Sequence, residues 1–491
     1  MLEATWNGIT IGYDFVTDNL LIINVLLALL IVFFQRRSPQ IVWTWLLILF
    51  FIPVIGFILY LLIGQDYHKR RMFKAKEIEG EIKYAVRKQE ETIYRKKLRL
   101  SNPAVARFKH LILYNLEAGE AVLTDNNDIR IYDDGHEKFH ALMREMSRAK
   151  RYIHVQYYII RNDELWAQIE KILTQKAREG VEVRILFDSM GCRNMRRKDW
   201  ARMRGEGIQV AAFFPPLFGK LQYRFNYRNH RKIVVIDGRL GFVGGFNIGM
   251  EYLGLNKKFG YWRDTHLCIE GAAVTTLLVR FVLDWNHAAK ENLFLADHLF
   301  EIPQYVRNGR DPVQIISSGP DSKIRVIHDN YLRLIHSAQH HVYLQTPYLI
   351  PDESILDALK IASRSGIDVR IMVPDKPDHP FVYWATYSYL GELVEAGAKC
   401  YVYNNGFMHA KTMSVDGMVA CIGTTNMDIR SFSLNFEVNA VIYSERTVQR
   451  LERMFENDMT KCTHVTRKVY DNRGIVIRTK EQFSRLLSPI L

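Results

Sequence analysis

The chain opens on two uncharged, largely apolar runs, Asn19–Gln35 and Ser38–Gln65. At about 1.5 Å per residue a helix of such length suits a hydrocarbon core about 30 Å thick. Trp43, Trp45 and Tyr60 stand toward the ends of the second run, where interfacial anchors gather, and Pro53 and Gly56 are positioned to kink it. Residues 1–66 therefore read as two transmembrane helices, or as one span followed by a re-entrant segment. Residues 67–105 are polar and rich in Lys and Arg, a helical linker suited to lie on acidic headgroups. Beyond it the apolar positions alternate between helical and strand periods. Residues 106–300 and 301–491 each read helix, strand, helix, strand and then a further strand, an α/β pattern of two similar units.

An internal repeat ties these units together. Ala149-Lys-Arg-Tyr-Ile-His-Val-Gln156 aligns with Ala338-Gln-His-His-Val-Tyr-Leu-Gln345, and Val181-Glu-Val-Arg-Ile-Leu-Phe187 with Ile367-Asp-Val-Arg-Ile-Met-Val373. Next in each half comes the same spacing of three residues, H-x-K-x₄-D: His230, Lys232, Asp237 and His409, Lys411, Asp416. Small residues and an asparagine follow each copy, Gly244, Gly245 and Asn247 in one, Gly423, Thr424 and Asn426 in the other. One such pattern arises by chance in about a few per cent of chains this long; two with matching tails do not.

The residue types define a chemistry. A neutral imidazole attacks phosphorus and forms a covalent phosphohistidine, dividing one hard displacement into two easier ones. A second imidazole protonates the leaving alkoxide and then deprotonates the incoming alcohol. Lysines two residues after each histidine share its face of a strand, and with the two asparagines are suited to hold the phosphoryl oxygens. H-x-K offers one ligand beside a repelling cation, so no metal is expected. The chain has no P-loop and no Rossmann fingerprint, which leaves ATP and dinucleotides out, and no cofactor is expected.

The duplicated motif resembles that of the phospholipase D superfamily. The likeness extends over nearly the whole chain to the bacterial cardiolipin synthases, through Asn226-Tyr-Arg-Asn-His-Arg-Lys232, Gly244-Gly-Phe-Asn-Ile-Gly-Met-Glu-Tyr-Leu-Gly254, Tyr261-Trp-Arg-Asp264, Thr346-Pro-Tyr348 and Leu486-Leu-Ser-Pro-Ile-Leu491. Two positions depart from the pattern: Met250 replaces an acidic residue, and Gly245 the superfamily's serine. The resemblance implies two α/β halves with pseudo-twofold symmetry, their motifs facing one site. It makes the six motif residues the candidate catalytic set, with the two aspartates structural. It also implies that Asp264 and Glu437, which occupy matching places downstream of the motifs, orient the histidines. His230 is assigned as nucleophile and His409 as acid and then base, an order that the likeness of the halves leaves open. His266 reads as a bystander.

Composition sharpens the choice of substrate. A net charge of +13 suits anionic lipid or nucleic acid, and basic residues cluster at Lys69–Arg99, at Arg193, Arg196, Arg197 and Lys198, and at Lys220, Arg224 and Arg228. Apolar runs beside the catalytic halves favour lipid, so no nucleic-acid partner is expected. Five scattered cysteines read as reduced thiols in a cytosolic compartment. The N-terminal stretch carries Glu3, Asp14 and Asp18 but no Lys or Arg, unlike a cleaved signal peptide. His68-Lys-Arg-Arg71 places the catalytic body on the cytoplasmic side of a bacterial cell membrane. The activity implied is that of a phosphatidyl transferase converting two phosphatidylglycerol molecules to cardiolipin and glycerol. A phospholipase D releasing phosphatidic acid and a phosphodiesterase or nuclease of the same superfamily are the alternatives.

Overall fold

The computed structural model describes residues 20–34, 39–52, 54, 56, 60, 89, 102–215, 227–300, 309–322 and 324–488. The basic linker lies outside them up to residue 101, Gln89 apart, as do Pro53, Lys220, Arg224 and the charges at Arg36, Arg37 and His68–Arg71. The chain divides into two compact units, residues 1–71 with 216–226 and residues 72–215 with 227–491.

In the first unit, helices Leu20–Phe34 and Pro39–Phe51 carry no charge. Asn24 Nδ2 donates to the Leu49 carbonyl at 3.3 Å, and Ile31, Leu49 and Tyr60 form a small buried cluster. Apolar residues also face outward, among them Ile22, Val25, Leu26, Trp43, Leu47 and Phe50. The helices have 15 and 13 residues, and among the described residues no helix is long and apolar enough to cross a membrane. The spans expected over 19–35 and 38–65 are thus not shown by these helices alone.

Among the described residues the second unit is built on one 16-stranded sheet, in which fifteen strands follow an order that mirrors about its centre and Arg228–Asn229 pairs off that path. From one edge run Gln209–Phe213, Glu182–Asp188, Tyr152–Tyr157, Ile233–Ile236, Leu240–Gly244, His266–Gly271 and Thr124–Tyr132. Then follow Asp311–Ser318, Asn435–Ile442, Val419–Gly423, Thr412–Val415, His341–Gln345, Asp368–Pro374 and Lys399–Tyr403, with Cys462–Val465 at the far edge. The halves join where Thr124–Tyr132 pairs antiparallel with Asp311–Ser318. The parallel strands are bridged by helices, such as Glu164–Arg178 and Glu353–Arg364, capped by Asp163 and Asp352 through backbone N–H groups. These helices bury apolar faces such as Leu165, Trp166, Ile169 and Leu173 against the sheet.

The cores do not divide cleanly between the halves. Helix Lys109–Gly119 falls in the range expected for the first half, yet Leu111, Ile112 and Leu116 pack with Ile316, Tyr331 and Leu334 of the second. Asn115 Nδ2 lies 2.9 Å from Asn330 Oδ1 and 3.3 Å from Gln314 Oε1. The linker is tied down at Gln89, whose side chain makes two hydrogen bonds with the Leu123 backbone, at 2.7 and 2.8 Å.

Candidate active site

Each motif is preceded by a short strand that pairs with the opposite half. Arg228–Asn229 pairs in parallel with Asn435–Phe436, and the His230 N–H donates to the Phe436 carbonyl at 3.0 Å. Phe407–Met408 pairs likewise with Trp262–Arg263, and the His409 N–H donates to the Arg263 carbonyl at 2.7 Å. Each histidine therefore comes level with a carboxylate of the other half. His230 Nδ1 is 3.0 Å from both oxygens of Glu437, and His409 Nδ1 is 2.6 Å from Asp264 Oδ2. The sequence placed the two acids at matching positions; the structure adds that the partners are exchanged between halves.

A carboxylate only accepts, so each Nδ1 carries the proton and each Nε2 keeps its lone pair. Lys411 Nζ lies 2.8 Å from the same Nδ1 of His409, but Nδ1 already donates to Asp264, so the lysine's hydrogen bond goes to the His409 carbonyl. Lys232 Nζ donates to the His230 carbonyl at 2.8 Å. Both lysines, Asp264 and Glu437 are fully buried, while the imidazoles keep slight exposure, His230 8% and His409 7%. Tyr158 stands edge-on to His230 with ring centroids 4.9 Å apart, and Trp262 flanks His409 at 5.2 Å.

The two motifs lie within electrostatic reach of each other. Burial lowers His230 and takes His409 down to about 4; each imidazole also feels the other motif's lysine. Burial takes Lys232 to about 7 and Lys411 to about 8, opposed by attraction from both Glu437 and Asp264. Asp264 is destabilised as an anion by burial, but Lys411 and His409 outweigh this and hold its carboxyl below the usual range. An empty site thus holds neutral imidazoles and two lysines with readily lost protons. A phosphodiester anion placed among them supplies the missing counter-charge and raises all four pKa values.

The motif aspartates lie elsewhere. Asp237 accepts the backbone N–H groups of Lys150, Arg151 and Tyr152 at 2.8–3.0 Å. Asp416 does the same for Gln339, His340 and His341 at 2.7–2.9 Å and is paired with Arg107. Each opens an Asp-Gly turn with positive φ at both residues (54° and 65°), within the three-residue loop that joins Ile236 to Leu240 or Val415 to Val419. These carboxylates fix the hairpin that follows each lysine to the start of the neighbouring strand. Counted with the catalytic set in the sequence, they bond to backbone rather than to either histidine or lysine.

The asparagines are buried next to the motifs. Asn247 Oδ1 accepts the Ile159 N–H at 3.2 Å. Asn426 Oδ1 has no hydrogen-bond partner among the described residues, an open polar group of the kind a ligand satisfies. Gly245, the departure from serine, has a direct cause: a Cβ there would lie 1.9 Å from Asp264 Oδ1. Its counterpart Thr424 instead donates its hydroxyl to Glu437 Oε2 at 2.5 Å. The halves thus solve one problem in two ways, with space for a short acid in one and a hydrogen bond to a longer acid in the other. His266 is buried, with neither ring nitrogen hydrogen-bonded among the described residues.

A supporting network was not read from the sequence. Arg231 donates to both oxygens of Asp284 at 2.5 and 2.7 Å and to the Glu437 carbonyl at 3.1 Å. Arg263 donates to Asp458 at 2.7 Å and to the Asp264 carbonyl. Gln156 and Gln345, matched in the repeat, donate to Asp284 and Asp458 at 2.6 and 3.0 Å. The signal available was the shared glutamine at the end of each aligned strand.

Fold and site together define a class: a duplicated α/β half whose paired His and Lys residues meet in one buried site. The chain matches the family described as cardiolipin synthase, PLD-like domain over residues 142–265 and 331–459, and a phospholipase D-nuclease N-terminal family over 22–65. It is 46% identical to a cardiolipin synthase of Oceanobacillus iheyensis over 96% of this chain and 98% of that protein. It is 47% identical to the major cardiolipin synthase of Bacillus subtilis, with the same coverages. Among solved structures, phosphatidylserine synthase of Haemophilus influenzae aligns with a TM-score of 0.59 at 15% identity, over 78% of this chain and all of that one, a likeness of fold. The chain belongs to the cardiolipin synthase family of phospholipase D-like enzymes.

Proposed function

We propose that this enzyme is a cardiolipin synthase that transfers a phosphatidyl group from one phosphatidylglycerol to another. The bound phosphodiester anion raises the pKa of His409, which takes up a proton on Nε2. His230 Nε2 attacks phosphorus, the P–O bond to glycerol breaks, and the leaving oxygen takes that proton from His409. The terminal hydroxyl of a second phosphatidylglycerol then gives its proton to His409. Its oxygen attacks phosphorus, the P–N bond breaks, and cardiolipin leaves. One phosphodiester replaces another, so no energy source is required. Lys232, Lys411, Asn247 and Asn426 hold the phosphoryl oxygens, and Glu437 stabilises the positive charge that forms on the His230 ring. The carrying observation is the exchanged pairing, His230 with Glu437 and His409 with Asp264, which leaves two Nε2 atoms free at one buried site. The N-terminal helices insert in the bacterial cell membrane, with the catalytic unit on its cytoplasmic side.

Trapping tests the assignment. Wild-type enzyme denatured at alkaline pH during turnover on phosphatidylglycerol carries a phosphatidyl adduct on His230, located by peptide mass spectrometry. An adduct on another residue, or one that His230→Ala still forms, contradicts it.

A further inference from the structure

Most helices of the catalytic unit bury their apolar face; the last one turns it outward. Helix Ile475–Leu486 packs through its polar side, with Glu481 and Ser484 buried. Arg473 pairs with Glu481 at 2.9 Å, and Arg485 pairs with Glu392 and reaches Ser388 at 3.4 Å. Ile475, Val476, Phe483 and Leu486 are all exposed, Leu486 by 79%. At about 100° per residue these four positions fall within an arc of about 100°, flanked on one side by Arg478 and on the other by Lys480. Both basic residues are exposed. Val469 and Phe381 are exposed as well, and the Phe381 and Phe483 rings stand 6.4 Å apart.

The neighbouring helix Pro380–Glu395 adds Tyr383, Trp384 and Tyr387, all half-buried, and Lys480 Nζ lies 5.3 Å from the Trp384 ring. Such a face, with apolar residues outward, basic flanks and aromatic shoulders, has the composition of a helix lying in a lipid interface. Residues 467–486 carry six Lys or Arg (467, 468, 473, 478, 480, 485) against two acids, Asp471 and Glu481, which favours an anionic surface. The face also adjoins the site. Asp378, two residues before Pro380, accepts the Tyr348 hydroxyl, and its charge acts on Lys411.

We infer that the outward face of helix Ile475–Leu486, with Phe381, docks on anionic bilayer and holds the mouth of the active site against its lipid substrate. This rests on the phosphatidylglycerol reading of the site. The test uses the full-length protein in vesicles of equal parts phosphatidylglycerol and phosphatidylcholine. A fluorophore on Leu486→Cys is quenched by brominated acyl chains, more strongly than in phosphatidylcholine alone. Ile475→Ser with Phe483→Ser loses about tenfold of the turnover on bilayer phosphatidylglycerol but none on short-chain phosphatidylglycerol below its micellar concentration. An unquenched probe overturns the inference, as does equal loss on both substrates, or a probe buried only by contact with a second copy of the chain. If the wild type makes no cardiolipin from either substrate, the proposed reaction fails, while the quenching still decides whether this face meets lipid.

Discussion

Replacing Glu437 by Gln probes the chemistry while preserving shape. Both oxygens of Glu437 lie 3.0 Å from His230 Nδ1, and Thr424 donates to one of them at 2.5 Å. The amide still accepts from Thr424 or from Nδ1, so the fold survives; what is lost is a full negative charge beside a ring that becomes cationic on forming the phosphohistidine. With that charge spread over the ring, a separation of about 5 Å and an effective dielectric of about 20 give about 3 kcal/mol. Mutational data on hydrogen bonds to charged groups, about 1.5–3 kcal/mol, meet this at their upper end. At about 1.4 kcal/mol per decade the expected loss is about 150-fold in kcat. The ground-state phosphodiester is held by the lysines and asparagines, so KM should move less than about threefold. Glycerol release from headgroup-labelled phosphatidylglycerol reads this rate, with thermal unfolding as a control. Retention of activity within about threefold of wild type, or a loss confined to KM, refutes the role given to Glu437.

Other outcomes follow from the same geometry. Gly245→Ala drives a methyl into the Asp264 carboxylate and should lower turnover about 100-fold or more, whereas Thr424→Ala removes one hydrogen bond from Glu437 and should cost about tenfold; equal effects in the same turnover assay would contradict the asymmetry. Asp237→Ala should destabilise the fold by about 3 kcal/mol, through lost backbone bonds and a strained positive φ, with turnover per folded molecule nearly unchanged; denaturant melts beside active-site titration check this. Lys232 titrates near 7 in the folded protein, against 10.5 unfolded, so its burial costs stability in full below pH 7, and the penalty fades as pH rises toward 10.5. Lys232→Met should therefore abolish activity yet raise the melting temperature at pH 6–7, with the gain shrinking by pH 10, as calorimetry would show. For catalysis both lysines must be charged, so kcat/KM should fall as pH rises through about 7 to 8, a limb visible in the pH profile of the free enzyme.

The duplicated motif, the two α/β halves and the matched acids were legible because each leaves a local trace: period-two strands, a repeated offset, a fixed spacing. The exchange of Glu437 and Asp264 between halves was not, because pairing across a pseudo-twofold axis depends on which strands meet at the centre, and aligned sequences give only equivalence. Arg231 and Arg263 escaped for a related reason. Their aspartate partners lie 53 and 195 residues away, and an arginine next to a motif reads as a surface charge until its burial is known. Helix Lys109–Gly119 looked local to the first half, yet its apolar face fits the second half's core, a choice made by shape. The departure at Gly245 has no reason in the sequence, and only the position of the Asp264 carboxylate gives it one.

The most direct measurement is product stoichiometry from purified full-length enzyme in mixed micelles, with headgroup-labelled phosphatidylglycerol and no added metal. Cardiolipin and free glycerol should form in equal amounts, and His230→Ala and His409→Ala should each abolish turnover to both. Phosphatidic acid as the main lipid product would contradict this, making water rather than a second phosphatidylglycerol the acceptor.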